Sequence, residues 1–219
     1  KATISRETEA AGNNDDASDK AFHTGRNKET LVIYTSDNGF APYVKIPKML
    51  AAGYKPSGDW RGSKATIFEG GHRVPFLVRW PGKVKAGTTS DVTICTTDFF
   101  ATFAEILAAL KSIPVNAAED SFSFLSSLRG EKQAIRPFTI HHSIGGTFAI
   151  RKGDWKYIDN TPPEGFPEKR MNQYKNVLPQ LFNLANDPGE QNNLFDKEPE
   201  KATKMLAELN EIRKASSTR

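Results

Sequence analysis

A chain of 219 residues with 30 basic and 26 acidic side chains, a net charge of +4 and 37% hydrophobic residues has room for one large domain, or for a domain and a small companion. Charges of both signs are interleaved along it, which describes a solvated mixed surface and excludes the clustered basic footprint of a nucleic-acid binder. No apolar run approaches the ~18 residues of a membrane span, and the single cysteine, Cys95, excludes an internal disulfide framework and a cysteine-based zinc cluster.

Residues 1–29 are rich in Ala, Asn, Asp, Ser and Lys and read as loop, with a weak helix near residues 5–11. They begin without Met and lack the apolar core of a signal peptide, so a processed or excised piece is expected. Residues 31–35 (LVIYT) form a short apolar run that suits a strand covered on both faces, as in a parallel sheet. The run ends at Ser36-Asp37-Asn38-Gly39. Asn-Gly is a hairpin-turn signal, but Pro42 and Pro47 interrupt any partner strand, so a strand end opening into a long loop is the expectation. Ligands gather at such carboxyl ends in open α/β sheets.

Residues 40–62 are a long Pro/Gly/Lys-containing excursion. One or two helical turns are expected over 63–69, stopped by Gly70-Gly71. Residues 74–80 read as a second buried strand with Pro75 at its edge, and 92–95 as a brief strand. Residues 98–110 carry Phe99, Phe100, Phe103, Ile106, Leu107 and Leu110 at helical spacing. The pattern changes after Arg136: a strand over 138–141, a hairpin of 147–152 and 154–158 turning at Lys152-Gly153, a loop over 160–175 and a strand over 181–184. Pro199 opens a terminal helix whose apolar positions are Ala202, Met205, Leu206, Leu209 and Ile212. Three parts result: polar residues 1–29, an α/β part over 30–135, and a small antiparallel α+β part over 136–219.

Asp37 and Asn38 offer oxygens of the kind that hard cations take, although two ligands are few for calcium, which needs about 6–8. Asp-Asn-Gly is equally a plain turn. Lys64 suits a point charge on an anion and equally a solvated surface lysine. The DWRGSK run lacks P-loop spacing. His72 and Arg73 suit an anion or a cap or core hydrogen bond. His141 and His142, adjacent on a strand, point to opposite faces, so one is expected in a pocket and the other buried. Cys95, flanked by apolar residues, reads as a buried structural thiol.

Five ordered blocks carry a resemblance: TLVIYTSDNG (30–39), WRGSKATIFEGGHRVPFLVRWPGKVKAG (60–87), TDFFATFAEIL (97–107), AIRKGDWKYI (149–158) and LFNLANDPGEQNNL (181–194). Together they resemble the C-terminal portion of a type I, formylglycine-dependent sulfatase, nearest in pattern to bacterial enzymes acting on sulfated carbohydrates. The resemblance implies an alkaline-phosphatase-like α/β sandwich with a small antiparallel C-terminal subdomain. It implies that Asp37 and Asn38 supply two calcium ligands and that Lys64 contacts the sulfate, with His72 and His142 as candidate substrate-binding side chains. A sulfated small molecule or glycan is the implied partner, attacked as a calcium-bound ester by hydrated formylglycine. The implied compartment is the periplasm or the cell exterior.

One departure dominates. The nucleophile motif C/S-x-P/A-x-R is not in these 219 residues, since Cys95 is followed by Thr-Thr-Asp. The family's N-terminal aspartate pair and its mid-chain lysine and histidine are missing too. The expected state is therefore a fragment, inactive alone, with formylglycine in the missing half; the alternative is a non-catalytic anion-binding or sulfated-glycan-binding module. A phospho-transfer enzyme of the same superfamily fits less well, because no histidine ligand lies near Asp37. A half-sheet also implies Val32, Ile33 and Phe76 facing solvent or a partner.

Overall fold

The computed structural model describes residues 2–3, 29–114, 116–159, 179–215 and 217–218. The helix expected near residues 5–11 and the loop over 160–175 lie outside them. By contacts the chain forms two compact units, one of Lys1–Ser36 and Pro75–Arg136, the other of Asp37–Val74 and Pro137–Thr218.

In the first unit β1 (Ala2–Thr3) and β2 (Val32–Thr35) are followed by β3 (Phe76–Arg79) and β4 (Thr89–Ser90). The pairing is antiparallel throughout, β1 with β4 and β2 with β3, in the register Val32↔Arg79 to Thr35↔Phe76. The expected parallel arrangement of residues 31–35 is thereby corrected. The 40 residues between β2 and β3 are long enough for the chain to reverse, and strand composition alone does not distinguish the two directions. Phe76 is buried rather than solvent-facing, packed with Val78, Val84, Phe124, Leu125 and Leu128, and Ile33 packs against that cluster. Pro75 precedes the ladder, as its missing N–H requires.

The helix expected over 98–110 is shorter: a 3-10 turn Thr96–Asp98 runs into a helix at Phe99–Ile106, and a second 3-10 turn covers Leu110–Ser112. Asp98, the last residue of the first 3-10 turn, is buried and closes that turn's capping box, accepting hydrogen bonds from the Cys95 amide (2.7 Å), the Phe122 amide (2.9 Å) and the Arg136 guanidinium (3.0 Å). Cys95 is half-buried, its Sγ faces Arg136 Nη1 at 2.9 Å, and burial pushes its thiol up to about 11, which keeps it an inert structural residue. Residues 92–95 form no strand; the bridge falls earlier, at Thr89–Ser90. A one-turn helix, Leu125–Leu128, completes this core.

The second unit is built on a four-stranded antiparallel meander: β5 (Thr139–His142), β6 (Phe148–Lys152), β7 (Trp155–Ile158) and β8 (Gln180–Asn183). Gly153 at φ +56° makes the β6–β7 turn, as read from Lys152-Gly153. Register aligns Ile150, Tyr157 and Leu181 across one face. That face packs against Ala202, Met205 and Leu209 of the terminal helix, which begins at Pro199 and ends at Lys214. The opposite face presents Ala149, Ile158 and Phe182 to Ile67 and Leu184. On the outer side of β8, Leu181 donates its N–H to the Asn193 side chain (3.0 Å) and accepts from the Leu194 amide (2.8 Å).

Candidate functional site

Backbone hydrogen bonds gather the candidate residues of the second unit. Asp37-Asn38-Gly39 follows directly on Ser36, with Asp37 exposed and Asn38 half-buried. The Gly39 N–H bonds the Gly71 carbonyl (3.0 Å), and the Lys64 N–H bonds the Phe40 carbonyl (2.9 Å). One residue on, the Ile144 N–H bonds the Ala65 carbonyl (3.0 Å), which brings in the segment after His142. Three stretches that are far apart in sequence (37–40, 64–65 and 142–144) are thus laced together. Ala65, between them, has φ +78°, a left-handed conformation rare for a residue with a Cβ and a sign of local strain.

Glycines make this lacing possible. A Cβ on Gly39 would collide with the Gly70 carbonyl, and one on Gly70 would lie 2.6 Å from the Gly62 carbonyl oxygen. Gly70-Gly71 does not stop a helix over 63–69, as expected from sequence. It sits inside a one-turn helix, Glu69–His72, while 63–68 are turns held by Thr66 Oγ1 on the Ser63 carbonyl (2.8 Å). The glycines are there for close backbone approach rather than as a left-handed cap.

That one-turn helix is fixed from beneath by a buried ion cluster that sequence reading missed. Glu69 accepts from Arg73 Nε (2.7 Å), Arg151 Nη1 (3.2 Å) and Lys156 Nζ (3.1 Å). Lys156, fully buried, also meets Glu190 Oε1 (2.8 Å) and the Ile67 carbonyl (2.8 Å). Glu190 in turn accepts the Glu69 amide at 2.6 Å. Burial alone would raise the Glu69 carboxyl; the Lys156, Arg151 and Arg73 cations outweigh it and hold the group at about 2. Burial raises Glu190, with Lys156 the chief opposing cation. Strand alternation explains the assembly, since Arg151 and Lys156 are direct cross-strand neighbours on the sheet face that carries Ala149 and Ile158. The available signal was two acids inside recognisable blocks, Glu69 in FEGG and Glu190 in DPGEQ; their common partner Lys156 lies 87 and 34 residues away.

His72 and His141 meet ring to ring, with centroids 4.2 Å apart and planes inclined at 51°. Each ring bonds a backbone group, of Thr66 and Ile67 respectively, and each leaves a buried Nε2 without a protein partner among the described residues. Burial, reinforced by Lys156, lowers His72 to about 4 and His141 well below its ordinary value, so both are neutral at pH 7. His142 is exposed, lies 5.5 Å from the Phe148 ring, and has Nδ1 2.9 Å from the Ser143 carbonyl. The histidine stacked on His72 is therefore His141. Lys64 is half-buried.

For a cation, Asp37 and Asn38 are hard oxygen donors at a strand's carboxyl end, which suits calcium but fills only part of its shell. No group of three or more His, Cys, Asp or Glu among the described residues is arranged to hold a metal. No helix of the described residues is long and apolar enough to cross a membrane.

Comparison with known proteins gives the class first. The architecture is alkaline-phosphatase-like: a solved structure described under the metabolism of multiple glycosaminoglycans by Bacteroides thetaiotaomicron superposes with a TM-score of 0.74 at 32% identity, over 86% of this chain and 39% of that one. Residues 11–109 match the family described as Sulfatase, and the chain carries a sulfatase family domain. It is 34% identical to the N-acetylgalactosamine-6-O-sulfatase of Bacteroides thetaiotaomicron over 196 residues, 87% of this chain and 37% of that protein. It is 30% identical to arylsulfatase A of Bos taurus, over 84% of this chain and 37% of that protein. The chain thus spans little more than a third of the curated relatives it matches.

Proposed function

We propose that this chain forms one wall of a calcium-dependent sulfatase that hydrolyses sulfate esters of a carbohydrate. The observation that carries the reading is the backbone lacing of residues 37–40 to 64–71 in a chain with a sulfatase family domain. It holds two oxygen donors and a lysine on neighbouring segments, fixed before any ligand arrives. Lys64 sets an ammonium charge against sulfate oxygens, and preorganised cations of this kind stabilise charge that grows in a transition state. Asp37 and Asn38 would hold part of a calcium shell; when bound, calcium would polarise the sulfuryl oxygens. His72, neutral and buried, contributes shape and its ring to that wall rather than charge. His142, exposed beside the Ser143–Ile144 segment, is positioned to meet the sugar.

A sulfated amino sugar as substrate is supported by the relative named N-acetylgalactosamine-6-O-sulfatase. The periplasm or the cell exterior goes with that reading. The nucleophile is expected in sequence upstream of Lys1. A C/S-x-P/A-x-R motif in that coding sequence supports the enzyme, and its absence there leaves an anion-binding module. In the protein that carries the motif, Lys64→Ala is expected to cut sulfate release by ~10²–10³ with an unchanged melting temperature. Unchanged turnover would remove Lys64 from the site.

A further inference from the structure

Residues 40–58 leave the candidate site at Phe40 and return to it near Lys64, pinned at the neck by the Lys64–Phe40 hydrogen bond. This excursion holds three lysines, Lys45, Lys48 and Lys55, and no acid. It is also ordered. A 3-10 turn over Pro42–Val44 leads into a helix, Ile46–Ala51, and the Tyr54 N–H folds back on the Met49 carbonyl (2.9 Å). The joint between turn and helix is Lys45, held at φ +58° although it is not glycine. Tyr43 and Tyr54 flank the helix and are 78% and 66% exposed. Lys55 is tied to Asp59 (2.9 Å), while Lys45 and Lys48 are exposed on the helix and its entry.

We propose that residues 40–58 are a docking platform for the sugar chain beyond the ester being cleaved, so that the ligand is a sulfated oligosaccharide rather than a monosaccharide. This rests on the sulfate wall proposed above. The flat electron-rich face of a tyrosine matches the positively polarised C–H face of a pyranose ring. Lys45 and Lys48 supply point charges for sulfates on neighbouring sugars. Tyr43 precedes the six-residue helix and Tyr54 follows it, so the excursion offers two separate rings rather than one. The location decides the ligand's geometry: a chain with its terminal ester against Lys64 has to leave the site past one rim or another, and this acid-free excursion springs from the site itself.

The test is calorimetric titration of the 219-residue protein with three probes: a 6-O-sulfated N-acetylgalactosamine-containing hexasaccharide, its desulfated counterpart and the 6-O-sulfated monosaccharide. The hexasaccharide is expected to bind at least ~10-fold tighter than the monosaccharide, and the desulfated probe not measurably. The Tyr43→Ala/Tyr54→Ala variant and the Lys45→Gln/Lys48→Gln variant are each expected to remove the length advantage and leave monosaccharide binding alone. All four substitutions are at exposed positions, and circular dichroism checks the fold. Lys64→Ala is expected to weaken both sulfated probes. If Lys64→Ala weakens both while the tyrosine and lysine variants change nothing, the platform is overturned and the sulfate wall stands. If hexasaccharide binding depends on the platform but ignores Lys64→Ala, the platform stands and the wall is overturned. Binding of neither sulfated probe overturns both.

Discussion

Acidification should weaken this protein through the stacked pair His72–His141. The folded state holds His72 at about 4, against 6.5 for an ordinary histidine, mainly through burial and then through Lys156, with a smaller push from His142 and an opposing pull from Glu69. His141, in contact with it, is shifted in the same direction by burial, Lys156 and His72. Because the folded value is depressed, protons bind the unfolded chain first. The stabilising contribution is complete above about 6.5 and is lost as the pH falls toward 4. For His72 alone the loss between pH 7.5 and pH 5 comes to about 2 kcal/mol at 1.36 kcal/mol per unit. Glu190, whose carboxyl is raised by burial, works in the opposite direction. The informative quantity is therefore the difference between wild type and His72→Phe, which keeps an aromatic ring on His141. Urea unfolding at both pH values, followed by tryptophan fluorescence, should show a smaller acid-induced loss in the variant, by about 2 kcal/mol. An equal loss in both proteins would refute the reasoning.

Lys156→Met should destabilise by about 3–5 kcal/mol at pH 7, because it strands buried Glu190 and removes one of three cations from Glu69. Adding Glu190→Gln should recover part of that loss, since the two residues are in contact and their effects cannot be additive; denaturant midpoints decide. Gly39→Ala should cost about 1–3 kcal/mol, as the new methyl has to displace the Gly70 carbonyl, and hydrogen exchange at the Gly39 and Lys64 amides should quicken. Leu209→Ala, at a fully buried position under the meander, should lower stability by about 2–5 kcal/mol in thermal melts without altering exchange at those two amides.

What could be read from the sequence followed the range of the forces involved. The β6–β7 hairpin was legible because turn and alternation are local: Gly153 takes the left-handed conformation, and Ile150 and Tyr157 fall on one face. The start of the terminal helix was legible for the same reason, with Pro199 in its first turn. The helix at Phe99–Ile106 was overextended because Leu107 and Leu110 keep the apolar spacing after the helix has ended, and Leu107 is largely exposed. The direction of β2 relative to β3 was not legible, since four apolar residues look alike in either ladder. Lys156 reads as an outward-facing lysine of an amphipathic strand. It lies in the interior only because two carboxylates from distant segments arrive at the same point. The blocks around Glu69 and Glu190 pointed to a family and left their electrostatic purpose unread.

The Asn193 side chain and the Leu194 amide occupy the outward-facing backbone groups of Leu181 on β8. A four-stranded meander with a bare rim is a template on which another chain can add a fifth strand. Here the rim is closed by the protein's own sequence, in a segment that Asp187 folds by accepting the Gln191 and Asn192 amides. The DPGEQNN stretch therefore acts in two directions at once. Inward it delivers Glu190 to the ion cluster, and outward it gives the sheet a finished border, so that solubility and the shape of the site depend on the same few residues.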